Sequence, residues 1–333
     1  MLNFVCKHIL KKDIVLYKPH RQTFPIITNE VNQSNYIFIN LYSIWKLIPF
    51  SSKNKMKFKV MYLILNIINP KLIIDINWIT IWESLYLVWT KNHKKSKFIV
   101  VQHGSYVAGV VNDVAHKYTK CDVFLIWGNY FKELFENYNK NKRTQIISFG
   151  NPVYNTKNRD NLRYSNNNTG NVLIAPSAIN QERLSFYSDL FKKIEMLGFN
   201  VFVKTHAKQG TNKILSGNKI SYPVLEGVNV IDKNLEEVLK KNNFDFIISD
   251  HSTSLLDAIF FKNKVLYFSP MNHKEITENH YSKYLVNIFD DYKKFKTKEE
   301  IYSLLSIKNQ ESLFSSMINA GDNILTKDKL YRS

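Results

Sequence analysis

The sequence is short of the residues that build disulfide scaffolds, metal centres and glycine-rich nucleotide loops. It contains only two cysteines in 333 residues, Cys6 and Cys121, with no CxxC pair and no zinc-ligand spacing. That excludes a disulfide-stapled scaffold and a structural zinc, and it fits a reducing compartment. Glycine is scarce as well, with 10 residues. Neither GxGxxG nor GxxxxGK[ST] occurs, which counts against nicotinamide oxidoreductases and P-loop NTPases. No Asp-x-Asp triplet is present: Asp290 and Asp291 are adjacent and are followed by Lys293 and Lys294, so no metal is expected. Long apolar runs are missing too. The most apolar stretch, Val60 to Ile68, is interrupted by Asn66 and stops at Pro70, well short of the ~20 residues that span a bilayer. It reads as a helix that is either buried or touching a membrane, with Tyr62, Leu63 and Ile64 as a candidate insertion face. The opening residues lack the basic, apolar and small-residue pattern of a signal peptide, so a cytoplasmic location is expected. Finally, acidic side chains are outnumbered, 28 against 46 basic, for a formal net charge of +18. Such an imbalance favours an anionic partner: nucleic acid, an anionic membrane face or a phosphorylated ligand.

What is present points to a globular α/β protein. Apolar residues make up 44% of the chain and aromatics 14%, and the length suits two domains of roughly 150 residues each. Apolar runs recur at Tyr36–Tyr42, Lys71–Trp78, Phe98–Gly104, Val123–Gly128 and Thr144–Pro152, with helix-length segments such as ITIWESLYLVWTKNHKK between them. Continuous β-branched runs of this kind are the pattern of a parallel sheet covered on both faces. A polar, Asn-rich stretch between Asn155 and Asn171 breaks the series. A second series follows: strands at Asn171–Ser177, Asn200–His206, Val228–Asp232, Phe244–Asp250 and Val265–Ser269, with helices at 181–197, 235–241 and 253–262. The expected organisation is an N-terminal Rossmann-like domain over 1–157, a linker over 158–170 and a C-terminal Rossmann-like domain over 171–333 that ends in helices. An active site is expected in the cleft between the two.

Ligands of doubly wound sheets lie beyond the carboxyl ends of strands, which singles out the residues just after each run. His103 and Gly104 follow the strand VVQ. The glycine lets the chain turn sharply and leaves the imidazole at the cleft, where it can accept a proton near neutral pH. The competing reading is a core histidine bonded to a carbonyl. Lys204 and His206 leave one strand on the same face, as side chains at i and i+2 do, and suit phosphate oxygens. Ser249, Ser252 and Thr253 open an apolar-periodic helix whose free N–H groups add a positive end, an arrangement that either holds a diphosphate or merely caps a helix. Asp257 lies one to two turns in, within reach of a ribose diol or simply solvated. Asn151 and Ser177 complete the strand-end set.

Taken in order, His103-Gly104, Gly150-Asn151-Pro152, Ile174–Ser177, Lys204–His206 and the run SDHSTSLLDA resemble the CDP-glycerol glycerophosphotransferase-like branch of the GT-B transferases. Bacterial capsule and lipopolysaccharide glycosyltransferases with a QHG and K-x-H layout are equally similar. The resemblance covers about residue 98 to 270. It implies a GT-B-like fold, with His103 as general base on an acceptor hydroxyl and with Lys204, His206, Ser252 and Thr253 on the donor phosphates. Asp250 would orient the loop and Asp257 would lie near the nucleotide ribose. The family pattern is not complete: Val153 and Tyr154 stand where an arginine is expected, Ala178-Ile179 close the Ala-Pro-Ser segment without one, and Ala207 replaces a proline. Each missing arginine removes a bidentate phosphate binder.

The function expected from this resemblance is transfer of a sugar from a nucleotide-activated donor to a hydroxyl of a growing bacterial surface polysaccharide, whether capsule, lipopolysaccharide or teichoic-acid-like. The alternative is glycerol-phosphate transfer with CMP leaving. More remote readings are a nucleotide-sugar epimerase and a basic nucleic-acid-binding module. The last is disfavoured because the aromatics sit in apolar periodic segments and do not interleave with the lysines. The expected partners are a CMP-, CDP-, UDP- or GDP-linked donor, a glycan or lipid-linked glycan acceptor and an anionic membrane surface, with no nucleic acid and no cofactor. Lysine-rich stretches contribute about 1 kcal/mol per charge toward anionic lipid, so the expected place is the inner face of the plasma membrane, peripherally bound.

Overall fold

The β-branched runs become strands, buried on both faces toward the middle of each sheet, and they assemble into two all-parallel sheets. The computed structural model describes residues 12–20, 23, 36–45, 54–76, 81–103, 119–140, 143–154, 159, 161–164, 168–176, 181–204, 229–231, 233–241, 243–250, 253–269 and 280–318. The chain divides into two compact units. Unit 1 comprises Met1–His103, Val110–Tyr154 and Ser316–Ser333; unit 2 comprises Gly104–Gly109 and Asn155–Ser315. Among the described residues no helix is long and apolar enough to cross a membrane.

In unit 1 the strands are β1 (Asp13–Tyr17), β2 (Tyr36–Asn40), β3 (Leu72–Asp75), β4 (Lys97–Val101), β5 (Val123–Ile126) and β6 (Gln145–Ser148). Their spatial order is β2-β1-β3-β4-β5-β6. Val15 pairs with Leu72 and Leu16 with Ile73, while Ile74 lies opposite Ile99. One core cluster of this unit is built on Val15, Leu72, Ile74, Ile99, Val101, Val123, Leu125 and Phe149, and the rings of Tyr86, Trp89, Phe98, Phe124, Trp127 and Phe131 are fully buried in the same unit. Strand β1 is absent from the sequence expectation because its three core residues follow Lys11, Lys12 and Asp13, so charge masks the short run. Another difference is that β2 stops at Asn40. The side chain of Asn40 accepts from the Tyr42 N–H at 2.8 Å and turns the chain into helix α1 (Leu41–Trp45).

Helix α2 (Asn54–Ile68) contains the apolar stretch VMYLILNII. Met61, Leu65 and Ile68 are buried, and the polar interruption Asn66 accepts a 2.9 Å hydrogen bond from the Trp89 indole of α3 (Ile81–Asn92). The exposed apolar stripe differs from the expected one. Met56, Leu63 and Ile67, on one helix face, are each more than half exposed, whereas Tyr62 is half-buried and accepts from the Asn92 amide at 3.2 Å. Helix α4 (Asn129–Tyr138) lies against β6 and begins after Gly128. A Cβ at Gly128 would collide with the Met317 carbonyl, so only glycine fits there.

In unit 2 the strands are β7 (Asn171–Ile174), β8 (Asn200–Val203), β9 (Asn229–Val230), β10 (Phe246–Ser249) and β11 (Val265–Tyr267), ordered β11-β10-β7-β8-β9. Helices α5 (Gln181–Met196), α6 (Leu235–Lys240) and α7 (Thr253–Phe260) provide crossovers, followed by α8 (Lys298–Tyr302) and α9 (Ile307–Met317), of which Ser316 and Met317 are counted with unit 1. In the core of unit 2, Tyr187, Phe191, Phe199, Phe246, Phe268 and Tyr292 pack among Val172, Ile174 and Ile248. Helix α5 ends at Gly198, whose φ of 83° is the left-handed C-terminal geometry that favours glycine.

Two carboxylates tie the Asn-rich segment into unit 2. Glu311 of α9 accepts from Arg159 at 2.7 Å, from the Tyr164 hydroxyl at 2.6 Å and from Lys262 at 2.8 Å. Asp245 accepts from the Thr169 N–H at 2.7 Å, the Gly170 N–H at 3.0 Å and the Tyr302 hydroxyl at 2.6 Å. Burial alone would raise the Glu311 carboxyl, but hydrogen bonds from Lys262, Tyr164 and Arg159 outweigh it and hold the group below its ordinary value.

Candidate functional site

In a doubly wound sheet the strand order reverses at one place, and the crevice beyond the carboxyl ends there is where ligands bind. In unit 1 the chain goes from β1 to β2 on one side and then returns to place β3 on the other, so the reversal lies between β1 and β3. In unit 2 it lies between β7 and β10 by the same reasoning.

At the β1/β3 reversal the first residue past β1, Lys18, donates its backbone N–H to Ile74 of β3 at 2.9 Å. Its ammonium lies 3.2 Å from Asp75 Oδ1. Asp75 is 1% exposed, and Glu83, in the first turn of α3, is 2% exposed. Burial pushes the Asp75 carboxyl up from 3.8 to about 6; the Lys18 charge opposes this and the neighbouring Glu83 charge adds to it. One strand further on, Gln102 is buried and clamped. Its backbone N–H donates to the Leu125 carbonyl at 2.9 Å, its side-chain oxygen accepts from the Trp127 N–H at 2.9 Å, and its carbonyl accepts from the Trp127 indole at 3.0 Å. The clamp fixes the exit of β4, so the next residue, His103, stands half-buried at the carboxyl edge of the sheet. Its ring faces that of His20 with centroids 6.1 Å apart and planes at 87°. Sequence reasoning had singled out His103 alone from this cluster. Lys18, His20, Asp75, Glu83 and Gln102 were missed, and the signal for the first two was a short apolar run, Ile14-Val15-Leu16, followed by a polar turn.

At the β7/β10 reversal Ala175 and Pro176 leave β7, both buried. Ser249 and Asp250, closing β10, are 0% exposed. The Ser249 hydroxyl donates to the Ala175 carbonyl, so it stitches the two strand ends together. Asp250 accepts from the Tyr187 hydroxyl of α5 at 3.0 Å. Tyr187, another residue the sequence did not single out, thereby links helix and strand end. Thr253, the first residue of α7, is half-buried. Asp257, one turn later, is 7% exposed and lies within a run of buried residues, so it is not on a solvated helix face. Lys204 follows β8, adjacent to β7; its backbone N–H donates to the Ile174 carbonyl at 2.9 Å and its residue is half-buried.

Asn151 is 1% exposed, and its side-chain oxygen accepts from the Val153 N–H at 3.0 Å, closing the turn after Gly150, whose φ is 92°. Gly104, Ser177, His206 and Ser252 lie outside the described residues. Among the described residues no group of three or more His, Cys, Asp or Glu is arranged to hold a metal ion.

No family model matches the chain and no curated protein matches it. Solved structures do. The wall teichoic acid polymerase TagF superposes with a TM-score of 0.53 at 13% identity, over 92% of this chain and 84% of that one. Arabidopsis thaliana UGT89C1 complexed with UDP gives a TM-score of 0.54 at 11% identity, over 94% and 97% of the respective chains. UDP-GlcNAc 2-epimerase from Methanocaldococcus jannaschii gives 0.50 at 12% identity, over 90% and 97%. At these identities the likeness is one of architecture: the chain has a GT-B-like fold of two Rossmann-like α/β domains.

Proposed function

We propose that this protein is a transferase that moves a sugar from a nucleotide-activated donor to a hydroxyl of a growing bacterial surface polysaccharide, of capsule, lipopolysaccharide or teichoic-acid-like type. The observation that carries the reading is the placement of proton- and phosphate-handling groups at the carboxyl ends of adjoining strands. His103 and His20 stand near the β1/β3 reversal, while Lys204 and Thr253 flank that of β7/β10. In this reading His103 takes the proton of the acceptor hydroxyl, and the freed oxygen attacks the donor. Lys204, His206, Ser252 and Thr253 offset the charge that develops on the departing phosphate. Asp250, held by Tyr187, orients the loop between β10 and α7, and Asp257 supports the nucleotide end from inside the helix. Asn151 closes the turn after Gly150. The donor needs no resident cofactor in this scheme.

Glycerol-phosphate transfer is the second reading, favoured by the fold likeness to a wall teichoic acid polymerase. There the acceptor oxygen attacks phosphorus and CMP leaves. The proposed location is the inner face of the plasma membrane, with the Met56–Leu63–Ile67 stripe and the nearby Lys57 and Lys59 of α2 turned toward anionic lipid.

The test is a thermal-shift panel of CMP, CDP, UDP, GDP and their donors against the wild type and His206→Ala. Stabilisation by UDP or GDP that is lost in the variant supports sugar transfer; stabilisation by CMP or CDP supports glycerol-phosphate or CMP-sugar chemistry. Turnover of a nucleotide sugar without any acceptor would point to epimerisation. No shift with any nucleotide, together with salt-sensitive binding of generic DNA, would overturn the transferase reading.

A further inference from the structure

We propose that Gln102 and Trp127 are positioning residues for His103: through their side chains they replace one backbone rung between β4 and β5, and so release the chain from the sheet one residue before the imidazole. The proposal rests on the reading of His103 as the base. Its own ground is the hydrogen bonding where these two strands end.

In a parallel pair the rungs are evenly spaced, and every second residue of one strand donates to the residue before its partner and accepts from the one after it. Strands β4 and β5 pair Ile99 with Val123, Val100 with Phe124 and Val101 with Leu125. The ladder runs one step past β4, since the Gln102 N–H donates to the Leu125 carbonyl at 2.9 Å. In that pattern the next rung would join the Trp127 N–H to the Gln102 carbonyl. Instead, the Trp127 N–H donates to the Gln102 side-chain oxygen at 2.9 Å, and the Gln102 carbonyl accepts from the Trp127 indole N–H at 3.0 Å. Each side chain takes the place that the other end of the backbone rung would have filled.

Both residues are 0% exposed. A backbone N–H or carbonyl left unpaired at such depth is as unfavourable as a lost hydrogen bond, so the strands cannot simply part there. The exchanged rung lets them end with these groups satisfied. Trp127 is itself held: its ring meets Phe131 of α4 edge to face with centroids 5.8 Å apart and lies 6.4 Å from Tyr154, and the following Gly128 has no room for a Cβ beside the Met317 carbonyl. Gln102 is thus fixed to a rigid partner. His103, half-buried at the next position, takes its direction from it. A regular rung would draw residue 103 back into register with the sheet.

The experiment has two readouts on the full chain. The first is carbethoxylation of histidines by diethyl pyrocarbonate, mapped by mass spectrometry without substrate, so it answers separately from the nucleotide panel. Gln102→Met keeps the side-chain length and removes the acceptor oxygen; Trp127→Phe keeps a buried ring and removes the indole N–H. In each, the His103 labelling rate is expected to fall severalfold, while that of His93, whose ring nitrogen is 2.8 Å from the Trp89 carbonyl, stays unchanged. The second readout is acceptor-dependent turnover. Each variant is expected to lower kcat about a hundredfold with the donor KM unchanged. The double variant lowers it no further, because the two side chains make one rung, and Gln102→Glu, which keeps an oxygen at the same reach, restores most of the rate. Should Gln102→Met fold poorly by circular dichroism, Trp127→Phe supplies the same answer. An unchanged His103 labelling rate in the folded variants would overturn the proposal, as would losses that add in the double variant. A lowered labelling rate with unchanged kcat upholds the positioning and overturns the reading of His103 as the base.

Discussion

The two units of this molecule handle buried carboxylates in opposite ways. At β1/β3, Asp75 pairs with Lys18 while a second nearly inaccessible carboxyl group, that of Glu83, adds its charge, and burial drives Asp75 toward its protonated form. In unit 2, the carboxylates are satisfied by donors: Asp250 by Tyr187, Asp245 by two backbone N–H groups and Tyr302, Glu311 by Arg159, Tyr164 and Lys262. The difference teaches that a buried acid can be either a reservoir for protons or a structural rivet, depending on whether the donors that reach it outweigh the cost of its burial. The first suits a place where a proton must be taken up; the second suits a rigid platform for an anionic ligand.

The contrast is broken most strongly by pH. Asp75 has a folded value near 6 against 3.8 ordinarily. Its raised value stabilises the fold fully below the unfolded value, and that stability is lost as pH rises through about 6. The difference corresponds to about 3 kcal/mol in full, most of it lost between pH 4 and pH 7. Urea unfolding of the wild type is expected to show this loss, and Asp75→Asn to remove it. Glu311 has the reverse sign: with a lowered folded value, its contribution is present above the unfolded value and disappears as pH falls through the folded one. Glu311→Ala leaves Arg159 and Lys262 without their shared carboxylate and is expected to cost about 2 kcal/mol at pH 7 by the same method.

Smaller effects sharpen the comparison at the platform itself. Lys204→Ala is expected to weaken nucleotide binding about tenfold, about 1.4 kcal/mol, by calorimetry, with little change in unfolding midpoint, because its side chain is half-buried at a strand end. An equal loss of stability would make Lys204 structural. Tyr187→Phe removes one donor from fully buried Asp250 and is expected to cost about 1 kcal/mol of stability. An unchanged midpoint would show that the remaining donors of Asp250 suffice.

Much of the architecture was legible along the chain. The runs at 71–78, 98–104, 123–128 and 244–250 each became a strand, and the helices expected at 181–197, 235–241 and 253–262 appeared within two residues of those bounds. In the segment expected as a linker, Arg159, Tyr164, Thr169 and Gly170 are fastened to unit 2 by carboxylates that lie far along the chain. Polar composition reports solvent affinity, and a distant Glu311 or Asp245 can satisfy those same groups equally well.

What the sequence determined by itself is local. Alternation of apolar runs with amphipathic segments sets the α/β class, and a polar residue after each run marks a strand end, which is how His103, Lys204, Asp250 and Thr253 came into view. Which strand ends become neighbours was decided only by the tertiary structure. Lys18 and Asp75 meet because β3 pairs with β1 on the side away from β2, and His20 meets His103 because two turns are braced toward each other. Sheet order and burial depend on the summed packing of the whole unit, and no stretch of a few residues contains that information.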